Sequence, residues 1–306
     1  MIERLREAIT HFFIGKEETV DQVLVCLLAG GHILLEDVPG VGKTTLAKTL
    51  ASALDCSFGR IQFTPDTLPS DVVGVSVYSQ KTQEFEYREG AIMSQIILAD
   101  EINRTSPKTQ ASLLEAMAEG SVTVDGVKHV LPQPFMVIAT QNPIEFLGTY
   151  PLPEAQLDRF MMKLSIGYPS EQDEIRLARN YADGTLMEAM PPVCTGEDIL
   201  NLRKETSSVH VSDAVLGYIR AIVEATRNEE RFVLGASPRA TLFLLSASRA
   251  EAMLRGRSFV KPDDVKAAAV SVLHHRLVLT SEAKIHKENT DRILEALIRS
   301  VPVPKE

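Results

Sequence analysis

The stretch from His32 to Thr45 reads HILLEDVPGVGKTT and decides the fold. Its first part, His32 to Leu35, is a short apolar run that is typical of a buried strand. Pro39-Gly40-Val41-Gly42 follows as a loop, and Thr44 to Leu54 has helical periodicity. A strand, a glycine-rich loop and a helix in this order indicate the start of a nucleotide-binding α/β unit.

The loop has the groups that bind phosphate. Glycines let backbone N–H donors approach phosphate oxygens closely, and the positive end of the following helix points at the same charge. Lys43 is expected to reach the β- and γ-phosphates of ATP or ADP, and the Thr44 hydroxyl to ligate Mg²⁺. The predicted nucleotide-binding residues are Pro39, Gly40, Val41, Gly42, Lys43, Thr44 and Thr45.

Asp37 departs from the strict GxxxxGK[ST] pattern, which has glycine at this position. The glycines nearest the expected phosphates, Gly40 and Gly42, are present. The alternative interpretation is a glycine-rich turn that precedes a lysine by chance.

Polar residues end two further apolar runs. Ile96 to Ala99 is followed by Asp100, expected to hold Mg²⁺, and by Glu101, expected to polarise the attacking water. Val137 to Ala139 leads to Asn142, which reaches the γ-phosphate if its strand lies between the other two. Charged residues often end apolar strands, so the roles of Asp100 and Glu101 are supported only because a phosphate-binding loop precedes them in the chain. Asn142 could equally be a turn residue before a proline.

Arg159 and Arg239 are candidates for stabilising the charge that develops during hydrolysis. Arg159 follows Leu157-Asp158, and Arg239 follows Ser237-Pro238 at a predicted helix start. A guanidinium delivered to the γ-phosphate accelerates hydrolysis by roughly 10³–10⁵. A surface ion pair is the alternative for either residue.

The pattern predicts an α/β core followed by helices. Two hairpins decorate the core, at Val122 to Val130 with Asp125-Gly126 as the turn, and at Val73 to Arg88. We place the domain boundary near residue 168, with a nucleotide-binding core at 1–168 and an all-helical domain at 169–306. Helices alone are predicted there, at about 171–182, 196–207, 212–227, 238–255, 262–276 and 284–299.

Composition narrows the class of protein. The chain of 306 residues has a net charge of -9, which argues against a nucleic-acid-binding protein, although local patches can act against the total. The 3 cysteines have wide spacings and are typical of a reducing compartment. The apolar stretches are too short to cross a membrane, so we expect a cytoplasmic protein without direct membrane insertion.

Together these elements resemble the MoxR family of AAA+ ATPases. The matching stretches are HILLEDVPGVGKTT (32–45), ILADEINR (97–104), QASLLEAMAE (110–119), ATQNP (139–143), LPEAQLDRF (152–160) and GASPRAT (235–241). Asp37 is normal for this family. The resemblance implies an αβα core with a parallel sheet and a helical lid, and a ring, often a hexamer.

The resemblance also implies roles for single residues. Arg159 looks like the finger that completes the neighbouring subunit's site, Arg239 like the lid sensor, and Asn142 like the first sensor. Ile14-Gly15 lies where relatives contact adenine. Family members are thought to act with von Willebrand factor A domain proteins on client proteins, in chaperone-like maturation or metal insertion.

The leading hypothesis is therefore an ATPase that remodels other proteins. A DNA-translocating motor, a magnesium-chelatase-like ATPase subunit and a non-enzymatic nucleotide-binding module are the alternatives. The hairpins are poor in positive charge, which disfavours the motor. The presence of both Asp100 and Glu101 disfavours the non-enzymatic module.

Overall fold

The computed structural model describes residues 1–143, 148–183 and 190–304. The described helices are α1 (Ile2–Phe12), α2 (Glu17–Leu28), α3 (Lys43–Ala53), α4 (Pro69–Val73), α5 (Pro107–Glu119), α6 (Glu154–Leu157), α7 (Glu171–Ala182), α8 (Gly196–Ser208), α9 (Asp213–Arg227), α10 (Pro238–Leu254), α11 (Pro262–Leu273), α12 (Ser281–Ile285) and α13 (Thr290–Ser300). The described strands are β1 (Ile33–Glu36), β2 (Phe58–Gln62), β3 (Gly74–Ser79), β4 (Glu84–Glu89), β5 (Ile96–Asp100), β6 (Ser121–Val124), β7 (Val127–Val130), β8 (Met136–Gln141), β9 (Met162–Leu164), β10 (Phe232–Leu234) and β11 (Val278–Leu279).

The central sheet has five strands in the order β2-β5-β8-β1-β9. The pairs β2–β5, β5–β8 and β8–β1 are parallel. Leu34, Leu98 and Ile138 in the three inner strands are completely buried. Burial on both faces explains why these strands are continuous apolar runs instead of alternating ones. The predicted α/β class with a parallel sheet is confirmed.

Strand order determines which polar residues meet. β8 pairs with both β1 and β5, as the prediction for Asn142 required. Because parallel strands have their carboxyl ends at one edge of the sheet, Asp37, Glu101 and Asn142 follow at that edge. Ligands of open α/β sheets bind there.

Both predicted hairpins are present. β6 and β7 pair antiparallel around Asp125 and Gly126, whose φ angles of 49° and 80° suit the tight turn that Asp-Gly favours. β3 and β4 pair from Gly74 with Glu89 to Ser79 with Glu84. The Tyr87 ring stacks on the His129 ring at a centroid distance of 3.7 Å, so the two hairpins contact each other.

The carboxyl-terminal part is helical, as predicted, with two differences. It also contains the antiparallel pair β10–β11, so the expectation of helices alone was wrong. The predicted helix 284–299 is two helices, α12 and α13. Lys287 between them has a φ of 54°, and the Asn289 side chain accepts hydrogen bonds from the N–H groups of Asp291 and Arg292. This cap starts a new helix and ends the continuity of the pattern.

The chain divides into two compact units. The first unit contains residues 1–20, 32–152 and 164–200, and the second contains residues 21–31, 153–163 and 201–306. These units do not divide the chain at residue 168, and the predicted core–lid boundary there stays a prediction. Among the described residues, none of the helices combines the length and apolar character that a membrane span requires.

Candidate functional site

A cavity of about 480 Å³ lies where the glycine loop meets the ends of the inner strands. The described lining residues are Pro39, Gly40, Gly42, Lys43, Thr44, Arg60, Gln62, Asp100, Glu101 and Asn142. All of them belong to the first compact unit. The structure thus brings the glycine loop, the acidic pair and Asn142 together around one space of the size of a small-molecule site.

The loop backbone needs its glycines. Gly40 and Gly42 have φ angles of 88° and 95°, which cost residues with a side chain roughly 1–2 kcal/mol. A Cβ atom on Gly42 would also lie 3.2 Å from a ring carbon of Phe13. α3 begins at Lys43, directly after Gly42. Its first N–H groups have no partner within the helix and are therefore available to an anion.

Lys43 folds back over this loop. Its Nζ donates a hydrogen bond to the main-chain carbonyl oxygen of Asp37 at 2.6 Å. Burial lowers the pKa of Lys43, and the nearby carboxylates of Asp37, Asp100 and Glu101 oppose that shift. The ammonium group therefore stands within electrostatic range of the acidic pair across the cavity.

The structure explains Asp37, the residue that departs from the strict motif. Its side chain is buried, and its carboxylate accepts hydrogen bonds from Ser165 Oγ at 2.7 Å and from the N–H groups of Ile166 at 2.7 Å and Gly167 at 3.1 Å. A glycine at position 37 would make none of these bonds. The carboxylate fixes the segment after β9 to the start of the phosphate loop.

The acidic pair is held from several sides. Asp100 accepts from Thr140 Oγ1 through Oδ1 and from Arg60 Nη2 through Oδ2, both at 2.7 Å. Glu101 Oε2 accepts from Gln62 Nε2 at 2.9 Å and from Arg104 Nη1 at 3.0 Å.

Glu101 also has an unusual backbone. Its φ angle is 58°, and its N–H donates to Thr140 Oγ1 at 2.9 Å. Such a conformation costs a residue with a side chain about 1–3 kcal/mol and is concentrated at functional sites. The buried Thr140 hydroxyl thus links both acids through one side chain, because it donates to Asp100 and accepts from Glu101.

Four residues that contact the acidic pair were not predicted from the sequence: Arg60, Gln62, Arg104 and Thr140. The alternation Arg60-Ile61-Gln62-Phe63, with buried Ile61 and Phe63, is the pattern that could have revealed β2 and its polar face. Thr140 directly follows the apolar run Val137 to Ala139 and is a polar residue, yet it is completely buried. Only the sheet order shows that its hydroxyl faces Asp100.

The residues fit a nucleotide with a magnesium ion. Asp100 and Thr44 provide the oxygen ligands that Mg²⁺ prefers. Over the described ranges, the His, Cys, Asp and Glu side chains form no group of three or more that could hold a metal ion by itself. A cation here would depend on phosphate oxygens and water as further ligands, as Mg²⁺ usually does.

The segment predicted to contact adenine lies beside the loop. Phe13 approaches Gly42, Ile14 is buried, and Gly15 has a φ of 78°. Its positive φ, and the Asp173 carboxylate that a Cβ atom would meet, both favour glycine at this position. Contact of Ile14 and Gly15 with adenine stays a prediction.

Arg159 and Arg239 belong to the second unit. The carboxylate of Asp158, next to Arg159, accepts from Ser237 Oγ at 3.1 Å and lies 3.9 Å from Arg239 Nη1. Within this unit, the segment of the predicted finger therefore contacts the segment of the predicted sensor. Their roles toward the phosphates stay predictions.

Comparison with known proteins establishes the family. YeaC of Bacillus subtilis (strain 168) is 50% identical over 298 residues, which cover 97% of this chain and 93% of YeaC. Chaperone MoxR1 of Mycobacterium tuberculosis is 39% identical, with coverage of 99% and 82%. Protein MoxR of Paracoccus denitrificans is 31% identical, with coverage of 97% and 94%. This chain belongs to the MoxR family of AAA+ ATPases.

Family models and a solved structure agree with the MoxR assignment. Residues 32–162 match the model of the ATPase family associated with various cellular activities, and residues 224–297 match an AAA lid domain. A crystal structure of a protein from Cytophaga hutchinsonii ATCC 33406 superimposes with a TM-score of 0.93 at 38% identity, covering 99% of this chain and 95% of that one. The AAA+ core with a helical lid, inferred from the sequence, is confirmed.

Proposed function

We propose that this MoxR-family chain binds ATP and Mg²⁺ in the cavity and hydrolyses the bond between the β- and γ-phosphates. The observation that supports this most is the placement of Lys43 and the loop N–H groups opposite Asp100 and Glu101. Thr44 and Asp100 would hold Mg²⁺, which when bound would neutralise negative charge on the phosphates. Lys43 would bind the β- and γ-phosphate oxygens.

We assign activation of the attacking water to Glu101. Its carboxylate lines the cavity at the end of β5, and Gln62 and Arg104 fix one of its two oxygens. A carboxylate held in this way can orient a water and accept its proton as the phosphoryl group departs. Asn142, also in the lining, positions the γ-phosphate and the water.

We further propose a ring, with six subunits as the expected number. In this arrangement Arg159 of one subunit enters the site of its neighbour, so a single chain has an incomplete site. Hydrolysis would then depend on assembly. Arg239 reports the nucleotide state from the lid.

The work proposed for this ring is remodelling or maturation of client proteins in the cytoplasm, together with a von Willebrand factor A domain protein. The chaperone name of the relative MoxR1 supports this use. Nucleotide-dependent closure and release between domains provides the mechanical step.

A DNA-translocating motor is the main alternative, and hairpin charge disfavours it. The exposed residues of β4 include Glu84, Glu86 and Glu89 but only one cation, Arg88. A groove that follows a phosphate backbone needs clustered positive charge.

The test is ATP turnover by the purified protein, with Lys43→Ala as the control that lacks the phosphate-binding ammonium. Single-stranded DNA and a von Willebrand factor A domain protein are then added separately. Stimulation by the protein partner supports remodelling or a chelatase-like role, and stimulation by DNA supports the motor. Absence of magnesium-dependent turnover in the assembled ring would contradict the proposal.

A further inference from the structure

Arg60 on β2 faces the carboxylate that is expected to hold the metal ion. Its Nη2 donates to Asp100 Oδ2 at 2.7 Å and to Gln62 Oε1 at 2.8 Å. The other oxygen of Asp100, Oδ1, accepts from Thr140 at 2.7 Å. Both oxygens of this carboxylate therefore already have a donor.

A divalent cation and this guanidinium would compete for the same oxygen. A hard cation binds carboxylate oxygens directly or through its water, and it repels a positive group beside the same oxygen. Thr140 is completely buried and its hydroxyl is also bonded to the Glu101 N–H, so it has little freedom to leave Oδ1. Oδ2 is the oxygen that can be released, because the side chain of its donor Arg60 is about half exposed and can turn into solvent.

We propose that Arg60 competes with the divalent cation for Asp100. It pairs with Asp100 when no cation is bound and leaves Asp100 when the cation binds with the nucleotide. This inference rests on the proposed nucleotide site. It assigns to Arg60 a function in controlling cation binding that is separate from phosphate binding by Lys43.

The exposure of the pair suits an exchange of partners. The side chain of Arg60 is 47% exposed and that of Asp100 is 16% exposed. Water can solvate the half-exposed guanidinium after it leaves Asp100, and the cation then replaces it as the positive partner of the less exposed carboxylate. A fully buried arginine at this position would instead leave an unpaired charge when displaced.

The test compares ADP affinity in EDTA with ADP affinity in saturating Mg²⁺, using a fluorescent ADP analogue. We divide the dissociation constant in EDTA by the dissociation constant in Mg²⁺. This ratio measures how strongly the bound cation increases the affinity for the nucleotide. In Arg60→Ala the cation no longer displaces a partner, and we expect the ratio to increase by about twofold to fivefold, or ~0.4–1 kcal/mol at 1.4 kcal/mol per tenfold.

Arg104→Ala is the matched control. It removes the same charge from the neighbouring Glu101, to which Arg104 Nη1 donates at 3.0 Å, and leaves the Asp100 pair intact. A smaller change of the ratio in this variant supports a specific competition at Asp100. An equal change in both variants would show a general effect of charge and overturn the inference.

Other outcomes separate the two proposals. An unchanged or decreased ratio in Arg60→Ala, with magnesium-dependent ADP binding by the native protein, overturns the inference on Arg60 alone. Failure of the native protein to bind ADP in either condition overturns both the nucleotide site and the inference. Thermal unfolding of each variant checks that the exposed substitutions leave the fold unchanged.

Discussion

Asp158 Oδ1 accepts a hydrogen bond from Arg276 Nε at 2.8 Å, one residue before the predicted finger Arg159. Arg276 is 4% exposed and also donates to the carbonyl oxygens of Asp158, at 3.3 Å, and of Met161, at 3.3 Å. Burial lowers the pKa of Arg276 to about 10, still far above neutral pH, so the buried guanidinium keeps its charge. One buried cation therefore holds the segment on both sides of Arg159.

Substitution Arg276→Met should destabilise the protein strongly. It leaves Asp158 without its closest cation and several carbonyl oxygens without a donor, and loss of one partner of a buried ion pair costs about 3–5 kcal/mol. Denaturant unfolding measures the change. Arg220→Ala, which removes an exposed pair with Glu224 at 2.9 Å, is the control and should change the free energy of unfolding by less than ~0.5 kcal/mol. Similar effects of both substitutions would contradict the assigned role of Arg276.

Substitution Asp37→Gly restores the strict motif and should nevertheless weaken the protein. The carboxylate accepts three hydrogen bonds from residues 165–167, and a hydrogen bond to a charged group contributes about 1.5–3 kcal/mol net of its exchange with water. We expect a melting temperature lower by several degrees. Asp37→Asn, which keeps acceptor capacity, should fall between the two. An unchanged melting temperature in Asp37→Gly would show that the hydrogen bonds of this carboxylate do not stabilise the fold.

Substitution Glu101→Gln should stop turnover and preserve binding. The amide keeps the size of the side chain and its contact with Gln62 but cannot accept a proton from water. A decrease in turnover of at least about 100-fold is expected, because general-base catalysis contributes roughly 10²–10⁴. Steady-state hydrolysis and nucleotide binding are measured on the same preparation. Native turnover in this variant would exclude Glu101 as the base.

Substitution Arg159→Ala should block hydrolysis without blocking nucleotide binding. If the finger acts across subunits, mixing this variant with Lys43→Ala creates interfaces at which a native Lys43 site meets a native Arg159. We expect the mixture to recover part of the native turnover, while each variant alone stays inactive. Failure of recovery in rings that demonstrably mix would argue that Arg159 acts within its own subunit.

Acid should destabilise the second unit through His275. Burial, and then the positive charges of Arg276 and His274, lower its pKa well below the ordinary value of 6.5. Below pH 6.5 the unfolded chain binds a proton that the folded chain does not, so stability falls as pH falls, by up to ~1.4 kcal/mol per pH unit. At pH 7.5 this contribution is absent.

The variant His275→Gln isolates this effect. It lacks the titrating group. As pH decreases from 7.5 to 5.5, the unfolding free energy of the variant should therefore fall less than that of the native protein. Equal pH dependence in the two proteins would exclude His275 as the source.

The sequence predicted the inner strands well, because both their faces are buried and continuous apolar runs such as Ile96 to Ala99 result. It did not predict β2. This strand reads Phe58-Gly59-Arg60-Ile61-Gln62, lies at the end of the sheet order, and carries polar side chains toward the cavity. Its apolar content is therefore too low for the pattern that identified the other strands. The missed strand carries two of the four missed site residues.

Contacts between distant residues were beyond the reach of sequence patterns. Asp37 finds its partners about 130 residues later, after β9, and Thr140 meets Asp100 only because β8 lies beside β5. The short pair β10–β11 has too few residues to show any periodicity. Motifs identified the chemistry of the loop and the acidic pair, and the strand order then determined which side chains surround them.

Lys43 donates to the main-chain oxygen of residue 37, whereas the side chain of that same residue binds residues 165–167. A main-chain carbonyl oxygen is present whatever amino acid occupies a position. The two contacts of residue 37 therefore respond differently to mutation. A single substitution can remove the side-chain contact with residues 165–167, but it leaves the carbonyl oxygen that accepts from Lys43.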